Sequence, residues 1–439
     1  MRPILFRDAV LADPEAAGAV RADLLVAERM IAAVGERLEA PGDALVIEAA
    51  GRLLAPGIVD ASVFRADTEA ALAGGVTAAV LMPDQRPPLD DPALVERALR
   101  LGKPSLWVHP LAAATRGLEG RALAELALLK EAGAVGVATG RRAIADAAVM
   151  LRLLHYAAGL GMVVVVHAED PALASGAVAT EGEMATRLGL AAAPAAAEAI
   201  QIARDMRLAE ETGAALHIAC VTTAEGVALV RAAKARGLDV TAATAPEYAL
   251  INDTALMGFR SFARLSPPLR SEADRLAVRD GLADGTIDML VSRHDPRTSE
   301  EKRLPFADAA PGAVGLATLL PLGLALVADG VLGVCALFDR LALAPARRFG
   351  LAGGRLRAGA PADLLLADTG RAWRIESDRL PGLAGNTPFD GLPVQGAVEA
   401  LVKGGELLSG PGAGGRPRWG ESAGGRAAQP LTISGRQGC

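Results

Sequence analysis

One recurring unit constrains this chain more than any other feature: an apolar helical stretch, a glycine, then a short β-rich run, repeated from Val76 onward. Residues 122–131 lead through Gly133 into 134–138, and 147–158 lead through Gly159 and Gly161 into 162–167. In the same way 195–211 lead through Gly213 into 214–220, 224–236 through Gly237 into 240–244, and 271–283 through Gly285 into 287–291. Glycine suits each helix end because the residue after the last turn takes a left-handed backbone. Runs that are apolar at every position belong to a parallel sheet covered by helices. Strict alternation of this kind predicts an α/β fold, either a closed barrel or a doubly wound sheet. Polar residues gather just after successive strand ends, as a ring-shaped site requires, whereas a doubly wound sheet gathers them at one switch point. The pattern therefore predicts a barrel.

The ends of the chain read differently. Residues 4–11, 22–34 and 45–55, and again 362–367 and 397–403, look like short strands separated by turns. Two such sets flanking a barrel can pair into a small β-sandwich. The expected plan is 1–54 as the N-terminal part of that sandwich, 55–345 as the barrel and 346–408 as the C-terminal part. Residues 409–439 form a Gly-, Pro- and Arg-rich tail that buries too little apolar surface to fold alone, with one apolar patch at 430–433.

With 439 residues, 51% of them hydrophobic, the chain can bury a large core. Its 45 basic residues are dispersed among 51 acidic ones, which argues against a nucleic-acid or anionic-membrane partner. Cys220, Cys335 and Cys439 are too widely spaced for a disulfide framework and suit a reducing cytoplasm. The first eight residues are too quickly charged for a signal peptide. The longest apolar stretch, 312–328, is interrupted by Pro321 and closed by Asp329, so it reads as a buried helix with its approach. A cytoplasmic protein is expected.

Six stretches then carry a resemblance. They are Ala55-Pro56-Gly57-Ile58-Val59-Asp60, Val166-His167-Ala168-Glu169-Asp170, the run from Gly182-Glu183-Met184 to Leu190, Thr222-Thr223-Ala224-Glu225-Gly226, Ser266-Pro267-Pro268-Leu269-Arg270-Ser271-Glu272, and Asn386-Thr387-Pro388-Phe389-Asp390-Gly391. In content and order the chain resembles dihydroorotase, the amidohydrolase that cyclises carbamoyl aspartate to dihydroorotate, over all but the tail. The resemblance implies a (β/α)8 TIM-like amidohydrolase barrel with a small β-sandwich, and zinc that activates a water.

Against that family's pattern the site positions are altered. The first strand of the family carries Asp-x-His-x-His-x-Arg; here Asp60 is followed by Ser62, Phe64 and Ala66, with Arg65 one residue early. Thr139 stands where a bridging carboxylate is expected, and Cys220 where a histidine is. His167 alone matches a ligand position. His217, an odd number of residues from Cys220, is expected to face the helices. The family's Asp-His-Ala-Pro-His run reads Arg293-His294-Asp295-Pro296-Arg297, so a guanidinium replaces the metal-binding aspartate. Asp84 and Ser266 replace substrate-binding asparagines, and His109 and His155 match no ligand position.

The resulting expectation is a scaffold without catalytic residues, metal or other cofactor. Asp84, Ser266, Arg293 and Arg297 are relics of a substrate pocket, and His167 is a relic ligand. The resemblance implies a non-catalytic structural or regulatory subunit, homodimeric and bound to aspartate carbamoyltransferase in pyrimidine synthesis. The alternative is an active dihydroorotase or related cyclic-amide hydrolase whose rearranged site brings His167, Cys220 and His294 together. A third reading is a small-anion sensor using Arg293 and Arg297.

Overall fold

Eight short parallel strands close into a ring: β1 (Ile58–Val63), β2 (Val76–Leu81), β3 (Trp107–Pro110, resumed at Ala112–Ala113), β4 (Val137–Ala138), β5 (Val164–Val166), β6 (Leu216–Ile218), β7 (Val240–Thr244) and β8 (Met289–Leu290). They pair in sequence order. A parallel bridge between Val63 and His294 joins the chain beyond β8 back to β1. The computed structural model describes residues 2–411; the expectations for the tail from 412 on, including the patch at 430–433, lie outside the described residues.

Every residue of β1 and β2 is buried, because one side faces the ring interior and the other the helices. Ala61, Val80, Val165, Ala243, Met289 and Phe349 belong to the cluster that fills the ring. Ile58, Val76, Val164, Val166 and Ile218 belong to the larger core between strands and helices. Several helices begin at side-chain caps, each worth about 1 kcal/mol. Asp146 accepts from the amides of Ala148 and Val149 ahead of Ala147–Leu160, and Thr223 from the amide of Gly226 ahead of Ala224–Ala235. No helix among the described residues is long and apolar enough to cross a membrane.

The sandwich is one continuous eight-stranded sheet folded over its own core of Phe6, Leu24, Ile31, Leu54, Leu366 and Val402. Its order is Glu406–Ser409, Pro393–Lys403, Leu364–Arg374, Leu53–Pro56, Ile4–Leu11, Val20–Ala27 and Met30–Gly35, with Leu45–Glu48 also beside Ile4–Leu11. The stretch read as one strand at 22–34 is a hairpin that turns at Glu28 and Arg29, with φ of 49° and 70°. Such turns usually declare themselves through Asn-Gly or Asp-Gly, and Glu-Arg carries no such signal. The stretch at 45–55 divides at Ala50 and Gly51, both at positive φ. Leu53–Pro56 then runs straight into β1 through Gly57, which places the sheet-to-barrel junction at that glycine.

The helix Thr68–Gly74 ends against the approach to Leu319–Ala328, so closely that a Cβ on Gly74 would lie 1.9 Å from the Leu316 carbonyl oxygen. Backbone on both sides leaves no flexible side chain to yield. Gly74→Ala is expected to cost roughly 1–3 kcal/mol, seen as a lower Tm in a thermal melt. An unchanged Tm would show that these two segments part without cost.

Candidate active site

A cavity of about 240 Å³ opens at the carboxyl ends of the barrel strands. Its walls include residues just past strand ends: Phe64 after β1, Arg141 after β4, His167 after β5, Glu247 after β7 and Arg293 after β8. This is where barrel enzymes hold their chemistry, since loops there converge while the opposite face carries stability.

Phe64, at a former histidine position, is a platform. The Arg141 guanidinium lies 3.9 Å and that of Arg293 5.7 Å from its ring centroid, an arrangement that favours cations over the ring face. Ser62 holds no pocket position; its amide donates to Asp60 Oδ1 at 3.2 Å. Asp60 is fully buried and accepts from the Ser292 hydroxyl and, at 3.2 Å, from its amide. Burial pushes its carboxyl up to about 6 against those hydrogen bonds.

Arg141 pairs with Asp295 through both terminal nitrogens, and its amide donates to Asp84 Oδ1 at 2.9 Å. Arg297 donates to the same Asp295 at 2.8 Å and to the Pro311 carbonyl at 2.9 Å, so it stands behind Asp295 and does not line the cavity. Arg293 differs. It takes φ of 47°, donates one bond, from Nη2 to the Ser266 carbonyl at 2.8 Å, and otherwise turns to the cavity.

Glu247 sits on the short helix Pro246–Leu250, 5% exposed, with Oε2 lacking any hydrogen-bond partner. Burial pushes its carboxyl up to about 7, with Arg293 pulling down and Asp60 pushing further up. Beside it Tyr248 is anchored by its hydroxyl, which donates to the Pro267 carbonyl at 2.6 Å. A carboxyl in a cleft with a near-neutral pKa is the usual mark of a proton-carrying group.

The other side of the mouth is braced by buried charge. The His167 amide donates to Thr139 Oγ1 at 3.1 Å, and its Nε2 lies 3.5 Å from Glu169. Arg270 lies 3.6 Å from Glu169 and 3.4 Å from Glu198, and donates to Thr222 Oγ1 at 2.8 Å. Glu198 in turn accepts from the amides of Thr222 and Thr223 and from both hydroxyls, which shapes the loop after β6.

Several expectations are redrawn by these contacts. His217 does not face the helices: its ring meets Phe349 edge-on at 5.8 Å, within the ring interior, while Cys220 belongs to the helix-covered core. The parity count took Cys220 as part of the strand, but β6 stops at Ile218 and alternation lapses beyond it. His294 is committed elsewhere, its Nδ1 accepting from the amides of Gly315 and Leu316 and its Nε2 lying 3.4 Å from Asp67. The combination of His167, Cys220 and His294 therefore does not assemble. His155 is exposed and His109 half-buried, both outside the cavity. Sequence reasoning missed Glu247 and Arg141; both follow strand ends directly, a position the other mouth residues share.

The Dihydro-orotase-like family model matches residues 47–226. A protein named dihydroorotase from Geotalea daltonii is 40% identical over 400 residues, covering 88% of this chain and 94% of its own. One of the same name from Pelobacter propionicus is 39% identical over 419 residues, covering 92% and 99%. The chain belongs to the dihydroorotase family. Among solved structures, L-hydantoinase (dihydropyrimidinase) from Arthrobacter aurescens is 26% identical, with a TM-score of 0.84 over 93% of this chain and 96% of that one. Dihydropyrimidinase from Brevibacillus agri shares the fold at 22% identity, with a TM-score of 0.78.

Membership in the dihydroorotase family overturns the expectation of a non-catalytic subunit: relatives at about 40% identity across nine-tenths of the chain carry the enzyme's name. The expectation that no cofactor is involved is corrected with it, since the dihydroorotase resemblance implies zinc. The donors in place do not fit that ion, however. Among the described residues no group of three His, Cys, Asp or Glu side chains could hold a metal. Cys220 lies in the helix-covered core and does not line the cavity, and burial pushes its thiol up to about 12. The family's metal and this chain's mouth residues disagree.

Proposed function

We propose that this chain is an enzyme of cyclic-amide chemistry, a dihydroorotase or a near relative of one, working at the cavity between Phe64, Glu247 and Arg293. The observation that carries this reading is the 40% identity to a named dihydroorotase across 88% of the chain. The cavity supports it. Opening a ring amide adds water to the carbonyl, breaks the C–N bond and delivers a proton to nitrogen; closure reverses each step. Glu247, with its carboxyl near 7, can hold or yield a proton at neutral pH. Arg293 presents a fixed positive charge to an anionic substrate.

The test is turnover of dihydroorotate, and of carbamoyl aspartate in the reverse sense, by the full chain purified from a host lacking its own dihydroorotase. Wild type is expected to interconvert them, and Glu247→Gln to lose roughly 10²–10⁴-fold in kcat. No conversion in either direction above background would sink the proposal.

A further inference from the structure

Thr139 and Arg293 stand on opposite sides of the ring, beyond β4 and β8, where the family pattern places metal-binding carboxylates. Two residues further out on each side are Arg141 and Asp295, and these two meet. The Arg141 guanidinium crosses the mouth, 3.9 Å from the Phe64 ring centroid, and bonds the Asp295 carboxylate through both terminal nitrogens. A planar guanidinium matches a carboxylate bond for bond, so the pair fixes direction as well as distance.

Both feet of this link are anchored. On the β4 side the Arg141 amide donates to Asp84 Oδ1 at 2.9 Å. Gly140, at φ of 79°, lets that carboxylate approach, since a Cβ there would lie 2.9 Å from the same oxygen. On the β8 side the Asp295 amide donates to the Ala313 carbonyl at 2.7 Å, and its carbonyl accepts from Asn386 Nδ2 at 3.2 Å. Arg297 adds a third guanidinium bond to the Asp295 carboxylate at 2.8 Å. Phe64, Asp295 and Arg297 replace a histidine, an alanine and a histidine of the family pattern. Departures that arise by simple decay have no reason to fit one another. These three supply the platform, the acceptor and the backing of one arginine.

Resting on the reading given under Proposed function, we propose that the Arg141–Asp295 pair is a crossbar tying opposite sides of the barrel mouth, and that both are positioning residues for the chemistry in the cavity. They act through Phe64, whose ring Arg293 shares at 5.7 Å. Without the Asp295 carboxylate, the guanidinium groups of Arg141, Arg293 and Arg297 are left to repel one another. Arg141, its side chain 37% exposed against 18% for Arg297, is the one free to turn out to water. The loops beyond β4 and β8 then move independently, and a site whose groups must hold within roughly 0.5 Å is loosened.

Amide hydrogen exchange on the full chain, with no ligand added, tests the crossbar, and turnover of dihydroorotate tests its use. In Asp295→Asn the segment 139–146 is expected to exchange roughly tenfold faster or more, and in Arg141→Met the segment 293–298 likewise, with the double variant no faster than the faster single. Faster exchange confined to the substituted residue's own loop overturns the crossbar. In turnover each single variant should lose roughly 10–100-fold in kcat with KM within about threefold of wild type, and the double variant no more than the worse single. Losses that multiply, or a rise in KM with kcat unchanged, overturn the positioning role. Should Asp295→Asn fail to fold, Arg141→Met still decides through segment 293–298. Exchange is read apart from turnover: coupled loops in a chain without turnover sink the enzymatic reading alone, and turnover with uncoupled loops sinks the crossbar alone.

Discussion

Replacing Glu198 with alanine is expected to remove about 3–5 kcal/mol of stability. Glu198 is fully buried, and its carboxylate accepts from two amides and two hydroxyls besides facing Arg270, whose side chain is 2% exposed. Truncation leaves the amides and hydroxyls of Thr222 and Thr223 short of an acceptor and strips Arg270 of the nearer of its two carboxylates. Breaking one partner from a buried charged network is far more costly than the network's net contribution, because the remaining charge cannot regain water. Glu198→Gln keeps the shape and one acceptor oxygen and should lose less. The measurement is the shift in denaturation midpoint in guanidinium chloride at constant slope. A loss below about 1 kcal/mol for the alanine variant would show that the network is not the brace described.

The second large effect runs with pH. Burial raises the Glu247 carboxyl from its ordinary 4.5 to about 7 in the folded chain. The native state therefore binds this proton more tightly than the unfolded state does. The associated stability is complete below about pH 4.5 and is lost as pH rises through about 7, the reverse of a salt-bridged carboxylate. Asp60, pushed up to about 6, contributes in the same sense and is common to both proteins compared. Glu247→Gln cannot ionise, so its stability relative to wild type should rise between pH 5 and pH 8.5, by up to about 3 kcal/mol. Arg293, Tyr248, Cys220 and Asp60 surround the group, and of these Arg293 opposes the effect. Equal stability differences at the two pH values would show that Glu247 ionises as freely in the folded chain as in water. A carboxyl that burdens the fold at alkaline pH while facing an open cavity has a functional reason to be kept there.

How much of this was legible beforehand follows from where each residue lies relative to a strand. The helix–glycine–strand recurrence determined a closed barrel, because all-apolar runs leave a strand no face for water. The flanking short runs determined a second β unit, and six motifs in order determined the family. The departures at Ser62, Phe64, Thr139, Cys220 and Arg293 were equally plain in the chain. Their reading as loss of function was not sound: it compared the chain with one donor pattern, and relatives named for the enzyme overturn it.

Direction and company were decided by the tertiary structure alone. Alternation fixes where a side chain points only within a strand, and the barrel strands here run from two to six residues, with the mouth residues all beyond their ends. Past those ends long-range contacts take over: Arg141 turns to Asp295, 154 residues away, and His294 to Asp67, while Arg293 is bent inward by Ser292 and Asp60. Glu247 became visible as a candidate only when its burial and its missing partner were seen together. Local patterning determined the scaffold because burial of apolar surface repeats with the backbone's own period; the site was left to the fold because a desolvated charge answers only to whichever charge the closed ring brings beside it.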